Sequence, residues 1–398
     1  MPNSLLTPVQ ITRKGLQILH QKLNFIGSIN RQHDDSFAKT GAKIGDSLKI
    51  RLPNQYTVRT GAPLSTQDTT ETSTTLQVAT QKGVDITFSS NELTLSLDDF
   101  SSRILEPAMS VLAANMEADA LNMALDVYNS VGNIGTAITF NKALAARKML
   151  VDNLAPGNDR TLLLNTQDNL DMVDGLKGLF QDSSEIAKQY REGLVGRTAG
   201  FGTIYENTLL ASQATGTAAS ATGYTVNGAV TVNGASAVTV AAGTTTFKKG
   251  DVFTVVGCNR VHPETKADTG ALQQFVVTAD YAGGAGSLSF SPAIYTTGGM
   301  QNVTVGGMPN GAALTKLGGA SQVYKPSLAF HKDAFTFATA DLVMPQGVDF
   351  AAREVFDGLS MRIVRQYAIA SDTLPCRIDV LYGYKTLRAQ LAARILSN

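Results

Sequence analysis

Charge is scarce in this chain. Asp, Glu, Lys and Arg make up 17% of its 398 residues, against the ~25% of an ordinary soluble protein. The charges balance, with 33 basic side chains against 33 acidic ones. Overall charge therefore gives no sign of a nucleic-acid or membrane partner. A neutral, weakly charged surface repels copies of itself poorly, which suits a self-associating protein. Cysteine is scarcer still. Cys258 and Cys376 lie far apart, which excludes a small disulfide scaffold and leaves two free thiols of a reducing cytosol as the expectation. No apolar run reaches the ~18 residues that a membrane-spanning helix needs, so no membrane partner is expected. The opening MPNSLLTPVQ has no basic stretch followed by an apolar core, so no secretory signal is expected there.

Motifs that carry chemistry are missing too. There is no phosphate-cradling glycine loop ending in Lys-Ser or Lys-Thr, no H-E-x-x-H and no G-x-S-x-G. The four histidines, His20, His33, His262 and His331, are scattered. His262 has Glu264 nearby, in a polar loop where such a pair is solvated. Gly200-Phe201-Gly202 lacks the rest of a dinucleotide fingerprint. No Cys or His spacing suits zinc. Neither a catalytic residue nor a cofactor or metal site is expected.

The length and the 43% apolar content allow two or three domains with real cores. Residues 8–26 read as an amphipathic helix: Thr7 suits the N-cap, Pro8 the first turn and Gly27 the stop, and Leu16, Leu19, Leu23 and Ile26 recur at helical spacing. Residues 28–45 are polar and read as an arm. Alternation over 47–52, 72–81 and 84–88 predicts strands, the last two separated by a turn at Lys82-Gly83. Together 46–92 form a long β excursion, which is marginal by itself and must pack on something. A helix is predicted over 98–128, capped by Ser96 and Asp99 and about 45 Å long at 1.5 Å per residue. Its buried stripe is Leu105, Met109, Leu112, Met116, Ala120, Met123 and Val127. Glu117 is expected on an exposed or interface face. Further helices are expected over 140–154, 167–180 and 184–193, with a buried strand at 161–164. Gly200, before Phe201, reads as a glycine in a strand, where it marks a bulge or a close backbone approach.

None of residues 207–247 is charged. Within this tract Thr225-Val226-Asn227-Gly228-Ala229 recurs as Thr231-Val232-Asn233-Gly234-Ala235, and Asn-Gly between β-formers signals a hairpin. Residues 213–321 therefore read as an all-β module with a charged loop at 260–268. A mixed pattern resumes near 322, as it would after an insertion into a host domain.

Three ordered groups of residues resemble the tailed-bacteriophage coat proteins of the Hong Kong 97 fold, in their P-twenty-two-like branch. The first is Tyr190-Arg191-Glu192-Gly193 with Gly196-Arg197-Thr198-Ala199-Gly200-Phe201 and Tyr205. The second is Lys248-Lys249-Gly250-Asp251-Val252-Phe253 with Gln274-Phe275-Val276-Val277. The third is Leu328-Ala329-Phe330-His331-Lys332-Asp333-Ala334-Phe335, then Arg362-Ile363-Val364-Arg365-Gln366-Tyr367 and Arg377-Ile378-Asp379-Val380-Leu381-Tyr382-Gly383. The resemblance implies an α+β chain with an N-terminal arm (1–45), an extended β loop (46–92), a peripheral domain on a spine helix (93–149), an axial domain (150–212 and 322–358), an inserted β-barrel-like domain (213–321) and peripheral C-terminal strands (359–398). It implies a major capsid protein that assembles in the host cytoplasm, with a scaffolding protein, into pentamers and hexamers of an icosahedral virion shell. A portal protein and non-specifically held double-stranded DNA are the other implied partners. In that branch the inserted domain has a long charged loop between capsomers. Here 225–235 is short and uncharged, so Arg260, Glu264, Lys266 and Asp268 are the candidate contacts. Three rival readings stay open: an encapsulin-type compartment shell, against which the β insertion leans; a β-rich surface adhesin, against which the missing secretory signal argues; and an enzyme of unrecognised family.

Overall fold

The computed structural model describes residues 8–31, 47–64, 66–67, 71–88, 105–176, 199–356, 358–369 and 373–397. In chain order its elements begin with α1 (Pro8–Lys22), α2 (Phe25–Ser28), β1 (Ser47–Arg51), β2 (Ser73–Gln77), β3 (Thr80–Phe88), α3 (Glu106–Leu121), β4 (Ser130–Gly132), α4 (Phe140–Asp152), β5 (Arg160–Leu164), α5 (Thr166–Leu176) and β6 (Thr203–Glu206). There follow β7 (Gln213–Ala214), β8 (Ala221–Val226), β9 (Ala235–Ala241), β10 (Val252–Val261), β11 (Asp268–Val277), β12 (Gly286–Ile294), β13 (Ala313–Lys316), β14 (Val323–Tyr324) and β15 (Ser327–His331). The last are β16 (Phe335–Ala340), β17 (Phe350–Phe356), β18 (Leu359–Arg365), β19 (Leu374–Thr386) and β20 (Ala392–Leu396). The chain forms two compact units. One comprises Met1–Arg51, Ser73–Leu121 and Phe335–Leu387, and the other Leu52–Thr72, Asn122–Ala334 and Arg388–Asn398. No helix among the described residues is long and apolar enough to cross a membrane.

In the first unit an antiparallel sheet runs β16-β19-β18-β17, and β3 pairs with β19. Lys82-Gly83 is not a turn. It lies inside β3, which pairs with β19 continuously from Thr80↔Tyr382 to Phe88↔Leu374. A Cβ at position 83 would collide with the Ile378 carbonyl oxygen, so the glycine marks a close strand approach. β1 and β2 form a separate antiparallel pair from Ser47↔Gln77 to Arg51↔Ser73. Its Ile50 and Leu76 are buried with Val78, Ala338, Ala340 and Leu381. Leu16, Leu19, Leu23 and Ile26 are buried as the helical spacing predicts. The expected 8–26 helix nevertheless breaks before α2, because the Glu117 carboxylate takes the backbone N–H of Asn24 (3.0 Å) and of Phe25 (2.6 Å). Glu117 itself is only 2% exposed. Its expected surface position is thereby corrected: a carboxylate that accepts backbone N–H groups can be buried inside a helix face.

All seven residues of the predicted stripe from Leu105 to Val127 are buried. Regular α-helix ends at Leu121, however, and Asn122–Asp126 tightens into a 3-10 turn. The described part of the helix, Glu106–Leu121, is therefore about 24 Å long. Its expected start at 98 and cap at Ser96 and Asp99 lie outside the described residues, as do 184–193 and the end of the 167–180 helix.

In the second unit a five-stranded sheet runs β4-β20-β15-β5-β6. β15 is antiparallel to β20 and β5, while the outer pairs β20–β4 and β5–β6 are parallel. α4 starts at Thr139, whose side chain caps the Lys142 N–H. The chain leaves this sheet through β7 and returns through β14, and these two strands pair as Gln213↔Tyr324 and Ala214↔Val323. Between them β10-β11-β12-β9-β8-β13 close into a barrel. Alternation along β8 puts Thr222, Tyr224 and Val226 inside. The core holds Phe253, Phe275 and Phe290, with Phe275–Phe290 ring centroids 5.0 Å apart edge to face. Neither Asn-Gly pair of the repeat makes the tight hairpin that was expected. Both fall in one connection, 227–234, between β8 and β9, with Gly228 and Gly234 at positive φ. Cys258 and Cys376 are buried and unpaired.

Candidate functional site

The candidate contact residues sit on the hairpin joining β10 to β11. They do not point one way. The Arg260 guanidinium reaches Asp152 on α4 at 3.0 Å, and Lys148 reaches the same carboxylate at 2.8 Å. Burial would raise the Asp152 carboxyl, but the hydrogen bonds from Lys148 and Arg260 outweigh it and hold it below the usual range. Lys266 adopts φ +59° and donates its ammonium to the carbonyls of Pro263 (2.6 Å), Gly299 (2.5 Å) and Gln301 (3.3 Å). Desolvation lowers its pKa. These two cations therefore shape the hairpin from within. Glu264 and Asp268 are exposed. Asp268 accepts from Gly270 N (2.8 Å) and Asn259 Nδ2 (3.0 Å), which lowers its pKa. The outward face of the hairpin is acidic.

The base of the barrel holds a buried polar junction that sequence reasoning did not find. The Lys248-Lys249-Gly250-Asp251 turn is its centre. Asp251 is 2% exposed and accepts backbone N–H groups from Gly216 and Lys248, each at 2.9 Å. Burial pushes its carboxyl up. Arg394 on β20, fully buried, donates to Gly250 O and Gln213 Oε1, each at 2.8 Å. Tyr324 donates to the same Gln213 oxygen at 2.9 Å. Buried Lys316 donates to Gly319 O (2.9 Å) and Gly216 O (3.2 Å). Gly250 has φ +93°, and a Cβ there would lie 2.5 Å from Gln213 Nε2, so only glycine fits the turn. The junction thus joins both ends of the inserted segment to the last strand of the sheet. A second link is the reciprocal pair Ser130 N to Gln274 Oε1 (2.7 Å) and Gln274 Nε2 to Ser130 O (2.9 Å). The sequence signals were the Lys248-Lys249-Gly250-Asp251 turn, noted for its family resemblance, and a lone arginine in the apolar strand Ala-Ala-Arg-Ile-Leu.

Leu112 and Met116 are buried on α3, and Phe201 is buried as well. Gly200 is in a turn with Ala199, at φ +76° and +54°, not in a strand; β6 starts three residues later. A Cβ there would sit 2.6 Å from Arg147 Nε, so what approaches the glycine is a side chain rather than the backbone expected. A different feature lies in 52–64. This stretch has no regular helix or strand, and a Cβ at Gly299 would strike its Gln55 carbonyl. Yet Tyr56 is 56%, Val58 95% and Leu64 84% exposed.

The chain is neutral overall and carries a closed six-stranded barrel between two paired strands. The family model described as "P22 coat protein - gene protein 5" matches residues 38–394. The chain belongs to the P22 coat protein family. It is a major capsid protein that forms a phage shell, and its role is structural. A search of the curated proteins finds no match. Among solved structures the coat protein is similar to one titled "Mycobacterium phage Che8", at 13% identity and a TM-score of 0.48, over 94% of this chain and 90% of that one. It is also similar to "Capsid structure of the Cyanophage P-SCSP1u", at 11% identity and 0.43, over 90% and 85%. "CUS-3 coat protein I-domain" matches at 27% identity over 24% of this chain and 95% of that one, with a TM-score of 0.19. No such score reaches 0.5, so family membership rests on the model match.

Proposed function

We propose that this coat protein builds a shell of the Hong Kong 97 type, as pentamers and hexamers placed by a scaffolding protein around a portal. The shell then holds double-stranded DNA without reading its sequence. Assembly takes place in the host cytoplasm, and the chain carries out no catalysis. In this reading 1–45 is the arm, 46–92 the extended loop, 213–321 the inserted domain, 150–212 with 322–358 the axial domain, and 93–149 with 359–398 the peripheral domain. Family membership supports the reading, and one observation carries its mode of contact: the stretch 52–64, outside any regular element, exposes Tyr56, Val58 and Leu64. Apolar side chains so placed are the kind a neighbouring subunit covers. Val58→Asp with Leu64→Asp tests this. The unassembled variant is expected to keep the wild-type melting temperature while shells fail to form; normal shells from the double variant would reject 52–64 as a contact.

The inserted domain adds a second contact in the same proposal. Arg260 and Lys266 turn to the chain's own groups, whereas Glu264 and Asp268 stay exposed towards a neighbour, Asp268 while keeping its bonds to Asn259 and Gly270. Exposed ion pairs are each worth only about 0–1 kcal/mol, but a shell repeats them in every subunit. Glu264→Ala with Asp268→Ala is expected to change shell yield or size, and identical shells would remove these residues from the contact.

A further inference from the structure

The chain has three Asn-Gly dipeptides, Asn227-Gly228, Asn233-Gly234 and Asn310-Gly311, all in barrel connections. Asn-Gly is the local sequence most open to intramolecular attack on a side-chain amide, because glycine leaves its own nitrogen unshielded and its backbone free to bend. The fold treats the three differently. Asn233 is held at both ends of its amide: its Oδ1 accepts from Thr296 N at 2.8 Å, and its Nδ2 donates to Thr297 Oγ1 at 3.1 Å. Asn310 is held through its Oδ1, which accepts the Gly228 N–H at 2.8 Å. Asn227 is exposed, and its side chain has no hydrogen bond among the described residues. The glycine nitrogens differ as well. Gly234 N–H and Gly311 N–H are tied to the main-chain carbonyls of Ile294 (2.7 Å) and Val226 (2.8 Å). Gly228 N–H is tied to a single exposed side chain, that of Asn310.

We propose that Asn227 is the chain's site of spontaneous deamidation, with the Asn310 amide as its guard. When Gly228 N–H leaves Asn310 Oδ1, the Gly228 nitrogen gives its proton to water and attacks Cγ of Asn227. A bond forms between that nitrogen and Cγ. The Cγ–Nδ2 bond breaks, and Nδ2 departs with a proton as ammonia, leaving a five-membered succinimide. Water then adds to one of the two ring carbonyls and opens the ring to aspartate or isoaspartate. Nothing is oxidised or reduced, and water is the only co-reactant. The product places a carboxylate in the stretch 207–247, which otherwise has no charge, at the end of β8. The uncharged connection 227–234 thereby gains negative charge with age.

The test is peptide mapping by mass spectrometry of the full-length folded protein, aged at mildly alkaline pH. Deamidation is expected at Asn227 several-fold ahead of Asn233 and Asn310. Asn310→Ala, a substitution at an exposed position, is expected to speed conversion at Asn227 several-fold and to leave Asn233 unchanged. In urea the three sites should convert alike, because the chain then shares only the dipeptide. Conversion first at Asn233 or Asn310 in the folded wild type would overturn the assignment without need of a variant. An Asn310→Ala protein with unchanged melting temperature and unchanged conversion at Asn227 would overturn the guard. The native order persisting in urea would show that the fold does not set it.

Discussion

Glu117 and Leu112 share α3 but are held by different forces, and substitutions separate them. Leu112→Ala removes buried methyls and is expected to cost about 2–5 kcal/mol. Glu117→Ala leaves the N–H groups of Asn24 and Phe25 without their acceptor, at about 1–3 kcal/mol for each buried group left unsatisfied. Both variants should therefore be destabilised to a similar extent in denaturant titration of the unassembled subunit; a neutral Glu117→Ala would contradict the capping role. A second buried carboxylate sets a pH dependence. Asp168 Oδ2 accepts from Asn165 Nδ2 (3.0 Å), Ser397 Oγ (2.6 Å) and Ser327 Oγ, while its Oδ1 is buried with no hydrogen-bond partner. Burial raises its pKa and Asp171 adds to this, against the two serine hydroxyls and Lys142. Below the unfolded value of about 3.9 the protonated group keeps its full stability. That stability is lost as pH rises through the higher folded value. Asp168→Asn does not titrate, so it should gain stability relative to wild type as pH is raised from about 4 towards 7. Parallel curves for the two proteins would show that the carboxylate is ionised without penalty. The burial of Leu112 was legible because a stripe at spacings of three and four has one physical meaning. The burial of Glu117 was not, because its partners lie 92 and 93 residues away.

Strands of the barrel were legible one at a time, from alternation such as that of Ala221–Val226. Their order was not, since closure depends on pairs such as β13 with β8 that no local pattern encodes. Lys82-Gly83 shows the converse error. A glycine between two alternating runs reads as a turn, yet here it admits the backbone of β19, about 300 residues onward. The junction under the barrel was the least legible element, because Arg394 meets Gln213 and Gly250 across 181 and 144 residues. Its strength can be tested. Arg394→Met keeps the volume and removes the donors, at about 1.5–3 kcal/mol for each hydrogen bond to a charged group. Hydrogen exchange is expected to rise at 213–216 and 248–251 while the barrel strands around Phe253, Phe275 and Phe290 stay protected. Uniform loss of protection would mean that the barrel has no core of its own, and no change at Gly250 would mean that the arginine holds nothing.

At the scale of the whole molecule, neutrality and low charge remove the repulsion that would keep many copies apart. In the proposed assembly, the 52–64 stretch and the acidic face of the β10–β11 hairpin are where those copies meet. Composition pointed towards self-association, the order of segments towards the coat-protein family, and the family match over 38–394 settled membership. What no single chain displays is the neighbour, because the side chains that a shell buries are left exposed on one subunit. The most direct measurement is electron microscopy of the full chain, expressed alone and with the proposed scaffolding protein. Closed icosahedral shells are expected, with Tyr56, Val58 and Leu64 covered by an adjacent subunit. A folded chain that stays monomeric with scaffold present, under every condition of salt and concentration, would contradict the account.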